Sequence, residues 1–413
     1  MIQIIAPELQ IEFTGPMTKL IRHPSKSTDD RPFLVIWEVT QACDLACEHC
    51  RANALPERHP RELKTEQAES LLDQVASFGR PFPLMVFTGG DPFKRADLCH
   101  LIAYARQLGL SAGVSPSATP LLTRESLAAL REAGAATISL SLDGSCSAIH
   151  DRFRGVVGTF DKTMEGCRLA KELGLKLQIN STVGKHNLSD LVQMAGLVAQ
   201  LQVMTWSVFF LVPTGRATSD QALSARECED VLNFLVDIST WIPVKTTEGH
   251  HYKRVVLMRK VLQEMQQDHS AALSPLYREL RDAWNEKVKE LALETRGSAR
   301  RTPMHINSAQ GFVFVSQFGD VFPSGFLPVR AGNILRESLP SIYRNSPLFQ
   351  ILRDTTRLQG RCGACEFREV CGGSRSRAFA CSANYLESDP ACAYQPGSFP
   401  YRDELQALLA SSN

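Results

Sequence analysis

From residue 33 to about residue 218, short apolar runs alternate with longer segments whose apolar positions recur every three or four residues. The runs at 33–37, 84–87, 137–142, 176–183 and 207–212 have the length and the β-branched or aromatic content of buried strands. Residues 96–108, 160–173 and 188–200 read as helices, with a turn at Gly109 and a capping glycine at Gly174. Strands and helices in alternation predict βα units around a parallel sheet. With a further strand running into Val114-Ser115-Pro116-Ser117-Ala118-Thr119 there are six units, too few for a closed eight-unit barrel.

Beyond residue 220 the pattern changes. Residues 225–238 form an amphipathic segment, and 252–289 are rich in Leu, Arg, Glu and Gln, so 221–300 is expected to be a mainly helical bridge. From 301 onward glycine, cysteine and aromatic residues increase. Phe312-Val313-Phe314-Val315, Gly319-Asp320 and Val321-Phe322-Pro323 predict a β-hairpin with a tight turn. Residues 401–409 read as a closing helix, and 1–30 as an N-terminal extension without chemistry of its own. The organisation expected is therefore 1–30, 31–220, 221–300 and 301–413.

The 413 residues suffice for two or three domains. A net charge of +1 provides no basic field for nucleic acid, and no run is apolar enough to span a bilayer. The start of the chain lacks the layout of an export signal, which predicts a cytoplasmic protein.

Twelve cysteines change the picture, because they are grouped. Cys43, Cys47 and Cys50 have three and then two residues between them, so all three can face one tight loop. Cys362, Cys365, Cys371 and Cys381 form a second group, with Cys392 just beyond. Such spacing points to metal centres in a reducing compartment rather than to disulfides. Thiolates in these numbers suit an iron–sulfur cluster, and zinc is the alternative at either group. Cys99, Cys146, Cys167 and Cys228 stand alone and are expected to be small buried hydrophobes.

The first cysteine loop, the apolar run before it and Thr88-Gly89-Gly90-Asp91-Pro92 after a buried strand together resemble the radical S-adenosylmethionine (SAM) superfamily. The resemblance implies an α/β fold, an open six-unit (β/α)6 barrel. It also implies that Cys43, Cys47 and Cys50 bind a 4Fe-4S cluster whose open iron takes the amino and carboxylate groups of SAM. Reductive cleavage then yields a 5′-deoxyadenosyl radical that abstracts hydrogen from a substrate. Gly89 and Gly90 would let main-chain carbonyls receive the SAM amino group, with Asp91 where relatives carry glutamate. Ser115 and Ser117 are ribose candidates in place of the usual asparagine motif. Ser141 and Arg154, from Ser139-Leu140-Ser141-Leu142-Asp143-Gly144 and His150-Asp151-Arg152-Phe153-Arg154-Gly155, would reach the ribose or carboxylate. Asn180 and Leu211 complete the expected cradle, and Asp143 is read as a turn cap. His49 is read as a packing residue, and no catalytic residue is assigned.

The C-terminal cysteines resemble the SPASM/twitch-like extension, which carries auxiliary clusters. Two ligand positions of a two-cluster SPASM domain hold Ser324 and Ser374 instead. One auxiliary 4Fe-4S cluster is therefore expected, on Cys362, Cys365, Cys371 and Cys392, with Cys381 as an extra thiol. Within the superfamily the motifs, including Cys371-Gly372-Gly373-Ser374-Arg375-Ser376-Arg377-Ala378, are most similar to the haem b synthase and haem d1 branch. The resemblance covers most of residues 33–396. It implies a tetrapyrrole substrate, with Arg216, Arg375 and Arg377 as possible carboxylate anchors. The alternatives are a ribosomally made peptide as substrate, or a non-catalytic iron–sulfur scaffold or electron-transfer protein. The short polar first thirty residues have no room for a leader-binding domain, which leans towards the small molecule. A flavodoxin or ferredoxin is the expected electron donor.

Overall fold

The computed structural model describes residues 20–25, 27–295 and 302–412. Seven strands lie side by side in chain order and all parallel: β1 Leu34–Glu38, β2 Leu84–Thr88, β3 Ser111–Val114, β4 Thr137–Ser141, β5 Lys176–Val183, β6 Thr205–Phe210 and β7 Val244–Thr247. Alternation of side chains along each strand sends Val35, Trp37, Met85, Phe87, Ile138, Leu140, Ile179 and Val208 into one core. Helices cover the sheet through stripes at helical spacing. The helix Thr65–Ala76 buries Ala68, Leu71, Leu72 and Val75.

The sheet continues past β1. Strand β8, Phe312–Val315, pairs parallel with β1 on the side away from β2. Strands β9, Asp320–Phe322, and β10, Gly332–Asn333, follow antiparallel. The expected hairpin is present, and Gly319 takes the left-handed φ of +80° that its turn requires. Because β7 and β10 are the two edges, the ten-stranded sheet stays open. It also runs across the compositional boundaries at 220 and 300.

Two features departed from the sequence pattern. Strand β7 lies inside the stretch expected to be helical; only Val244 of its four residues is buried, so no alternation marked it. The long helical stretch is two helices, His251–Glu264 and Pro275–Glu290, and the second begins where Ser274 accepts from Leu276 N with Pro275 in the first turn.

Residues 1–19 of the N-terminal extension lie outside the described residues. Ile21 joins Leu257, Val261, Phe367, Tyr394, Phe399, Leu405 and Leu408 in a second core, and Arg22 N donates to Pro303 O at 2.8 Å. This core seats the C-terminal helix Arg402–Ser412. Of the four isolated cysteines, Cys167 and Cys228 are buried as expected, Cys99 is half-buried and Cys146 is exposed at the start of the helix Ser147–Arg154. Among the described residues no helix is long and apolar enough to cross a membrane.

Candidate functional site

The first cysteine loop leaves the C-terminal end of β1, where Val39 N still donates to Thr88 O at 2.8 Å. It closes on itself through Cys43 N to Leu55 O at 2.8 Å and Leu55 N to Gln41 O at 3.2 Å. Cys43 and Cys47 are buried and Cys50 half-buried, gathered with Leu45, Ala54 and Val156. Backbone N–H groups point at sulfur: Leu45 N to Cys43 Sγ and Ala54 N to Cys50 Sγ, both 3.4 Å. Arg154 Nη1 lies 3.6 Å from Cys47 Sγ. Burial pushes the Cys43 thiol above its ordinary value, with Asp91 and Cys47 adding to the shift. N–H donors aimed at sulfur suit a metal centre that would hold the thiolate form.

The glycine pair is pressed against this loop. Gly90 N donates to Thr40 O at 2.9 Å and Asp91 N to Ala42 O at 2.7 Å. A Cβ at Gly89 would stand 2.4 Å from Thr40 O, and one at Gly90 2.3 Å from Ala42 O, so only glycine lets the two loops meet. The Asp91 carboxylate is buried, accepting from Thr119 Oγ1 at 2.6 Å and Phe93 N at 3.2 Å. Its pKa is raised by burial. Ser117 donates to Gly90 O at 2.7 Å and sits 3.6 Å from Cys43 Sγ, so Gly89, Gly90, Asp91 and Ser117 all adjoin the first thiol. Ser115 follows β3, its N–H bonded to Phe87 O at 2.9 Å.

On the neighbouring strands Ser141 stands opposite Asn180 in register, and Asn180 Oδ1 accepts from Gln178 Nε2 at 2.7 Å. Asp143, read from sequence as a turn cap, is instead the buried counter-ion of Arg154, and it also accepts from Thr182 N at 2.6 Å. Burial alone would raise Asp143, but the Arg154 guanidinium beside it outweighs burial and holds the carboxyl below its ordinary value. Arg154 thus links β4 to the first cluster loop. His49 stacks on Phe153 at 4.2 Å, and His186 stacks on the other side at 3.6 Å. Burial lowers His49 to about 3 and His186 to about 4, so both rings are neutral at pH 7. His186 escaped the sequence reading because an isolated histidine in a polar loop has no motif. Leu211 is buried, and its carbonyl accepts from Arg377 Nε at 3.3 Å.

In the C-terminal part Cys362, Cys365, Cys371 and Cys392 line one cavity with His251, Arg254, Asp389 and Gly373. Cys381 is exposed on the helix Arg375–Ser382 and is not part of that lining. Gly373 N reaches Cys371 Sγ, while Asp389 N and Arg375 Nη2 reach Cys362 Sγ, each at 3.4 Å. His251 Nε2 stands 3.1 Å from Asp389 Oδ2. Burial would raise Cys392, but His251 and Arg254 outweigh it and pull the thiol down; burial pushes Cys365 up to about 12. Four thiols around a cavity, met by N–H and cationic donors, fit an iron–sulfur cluster. Among the described residues no three His, Cys, Asp or Glu side chains close on a single metal ion.

The two serines at absent-ligand positions meet in space. Ser324 and Ser376 donate to Glu248 Oε1 at 2.9 Å, and Ser374 donates to Glu248 Oε2. One buried carboxylate thus gathers three hydroxyls.

Arg375 and Arg377 do not meet the expectation of carboxylate anchors. Arg375 is buried, donating to Tyr385 O, Glu387 O and Cys362 Sγ. Arg377 holds both oxygens of Asp389 at 3.1 and 3.0 Å and the carbonyls of Phe210, Leu211 and Glu248. Arg375 ties the C-terminal part together, and Arg377 also ties it to the ends of β6 and β7.

Comparison with known proteins agrees with this arrangement. The sequence pattern of the Radical SAM superfamily matches residues 37–198. The chain is 38% identical to an AdoMet-dependent heme synthase of Oleidesulfovibrio alaskensis, over 90% of this chain and 89% of that protein. A PqqA peptide cyclase of Rhodopseudomonas palustris is 29% identical over 88% of each. Among solved structures, SuiB of Streptococcus suis bound to its precursor peptide SuiA superposes with a TM-score of 0.62 at 18% identity, covering 88% of this chain and 76% of that one. The last of these speaks to the fold alone.

Proposed function

The chain belongs to the radical SAM superfamily, and from that membership we propose that it removes hydrogen from a propionate side chain of a tetrapyrrole. The observation that carries the substrate class is the 38% identity to a heme synthase, sustained across nine-tenths of the chain. When bound, the 4Fe-4S cluster supplies the electron that cleaves SAM to a 5′-deoxyadenosyl radical.

The chain's own residues hold and orient. In this proposal Cys43, Cys47 and Cys50 are the ligands of the SAM-binding cluster. Gly89 and Gly90 keep their loop against the cysteine loop. Ser117 fixes the Gly90 carbonyl beside Cys43. Arg154, held by Asp143, sets a positive charge next to Cys47 and in reach of an anionic ligand there. Ser115, Ser141, Asn180 and Leu211 are the proposed remainder of the SAM cradle, at the strand ends beside it. Cys362, Cys365, Cys371 and Cys392 are the proposed ligands of one auxiliary cluster. A flavodoxin or ferredoxin in the cytoplasm is the proposed electron source.

The test is anaerobic incubation of the reconstituted enzyme with iron coproporphyrin III, SAM and dithionite. Formation of 5′-deoxyadenosine together with a porphyrin product altered at its propionates, read by mass spectrometry, is the expected result. Deoxyadenosine formation that responds to a peptide and ignores the porphyrin would move the reading to the peptide cyclases, which the 29% identity also favours.

A further inference from the structure

Three arginines were candidates to meet a carboxylated substrate, and two of them are spent inside the fold. Arg216 is different. Its Nε and Nη2 are buried yet have no hydrogen-bond partner, and it makes no ion pair among the described residues. Guanidinium N–H groups withdrawn from water without an acceptor are costly, so an acceptor from outside the chain is the natural complement.

The backbone explains why the side chain is held there. Gly215 turns at φ +65°, and a Cβ on it would stand 2.3 Å from Cys50 O, so the turn after β6 is pressed onto the first cysteine loop. Arg216 N then donates to Cys50 O at 3.1 Å. Cys50 is one of the proposed cluster ligands, so the Arg216 backbone is fixed against that loop. Arg154, the other cation there, is already bonded to Asp143 and Cys47. Gly215 is exposed and Arg216 half-buried, so the turn lies at the surface of the fold.

We infer that Arg216 receives a carboxylate of the substrate, one propionate of the tetrapyrrole, and so sets which side chain faces the SAM site. The assignment rests on the tetrapyrrole reading above. A planar guanidinium with two free N–H groups matches a carboxylate better than an ammonium does. Arg216 is on this account a substrate-binding residue.

The test uses the anaerobically reconstituted enzyme, wild type, Arg216→Met and Arg216→Lys. Iron coproporphyrin III is titrated by its Soret band, and SAM binding is measured by equilibrium dialysis. Arg216→Met is expected to weaken porphyrin binding about 10- to 100-fold, while SAM affinity and iron content stay at the wild-type level. Arg216→Lys should recover part of the loss, and the porphyrin tetramethyl ester should bind wild type and Arg216→Met alike. Unchanged porphyrin affinity in Arg216→Met would overturn the assignment. Loss of SAM binding would instead make Arg216 the partner of the SAM carboxylate, and loss of iron would make it a support of the cluster. If the wild type binds no porphyrin, the tetrapyrrole reading falls and this assignment with it; if only Arg216→Met is indifferent, the tetrapyrrole reading stands.

Discussion

Ser324 Oγ donates to the Glu248 carboxylate at 2.9 Å across 76 residues of sequence. Ser374 and Ser376 complete the same acceptor from the other side, and Glu248 itself holds a left-handed φ of +55° just after β7. One carboxylate thus joins the barrel sheet, the hairpin and the segment that follows Cys371.

Glu248→Ala should therefore destabilise the whole C-terminal part. It strands three buried hydroxyls at once, and unsatisfied buried groups cost on the order of 1–3 kcal/mol each. Some re-pairing reduces the sum, so a loss of about 2–4 kcal/mol in urea unfolding is expected. Glu248→Gln keeps an acceptor and should lose less. Equal stability for Glu248→Ala and wild type would mean that the hydroxyls find other partners.

Ser324 and Ser374, read as lost ligands, also bear on the expected metal content. Anaerobic reconstitution should give about eight irons, four from each cysteine group. Replacing Cys43, Cys47 and Cys50 with alanine should leave about four, and so should replacing Cys362, Cys365, Cys371 and Cys392. Cys381→Ala should leave the full count, because that thiol lies outside the cavity. About four irons in the wild type, all lost with the first three cysteines, would leave the second group to zinc.

These expectations follow from features that the sequence displayed unequally. The strands other than β7 and β10 were legible because their buried residues form apolar runs, and both cysteine groups because ligand spacing is local. Ser324 and Ser374 were legible as substitutions, but nothing in the sequence indicated that Glu248 would meet them, since a left-handed glutamate after a half-exposed strand has no pattern. Arg375 and Arg377 were read as possible carboxylate anchors; the carbonyls of Tyr385 and Glu387 for Arg375, and Asp389 with the Phe210 carbonyl for Arg377, hold them inside the fold. The glycine pair was read as a ligand cradle; that its Cβ directions are also filled by Thr40 and Ala42 was a packing reason the sequence did not show. Long-range partners are set by topology, and topology is the part that a single sequence encodes least directly.

The Asp143–Arg154 pair offers a sharper test of one such partnership. Arg154→Met leaves a fully buried carboxylate without its counter-ion, a change worth about 3–5 kcal/mol of stability. Adding Asp143→Asn removes that uncompensated charge, so the double variant should be more stable than Arg154→Met alone. Simple addition of the two losses would show that the pair is not coupled. SAM affinity should stay low in both variants, because neither restores a cation beside Cys47.

Away from both cysteine groups, His269 provides a pH dependence with a fixed sign. Its Nε2 lies 2.7 Å from Tyr277 Oη, which donates to Asp237 at 2.8 Å, and Arg259 pairs with the same Asp237 at 2.7 Å. Burial first, then the Arg259 charge, lowers the ring to about 4. The unfolded chain takes up this proton near pH 6.5, the folded protein only near pH 4. Stability from this group is therefore fully present above about pH 6.5 and is lost progressively as pH falls towards 4, where the loss levels off. His269→Gln should remove that part of the slope. Denaturation midpoints of wild type and variant, compared at pH 7.5 and pH 5, should differ more at one pH than at the other, with the variant gaining on wild type at pH 5. A constant difference at both pH values would mean that the ring has the same proton affinity folded and unfolded.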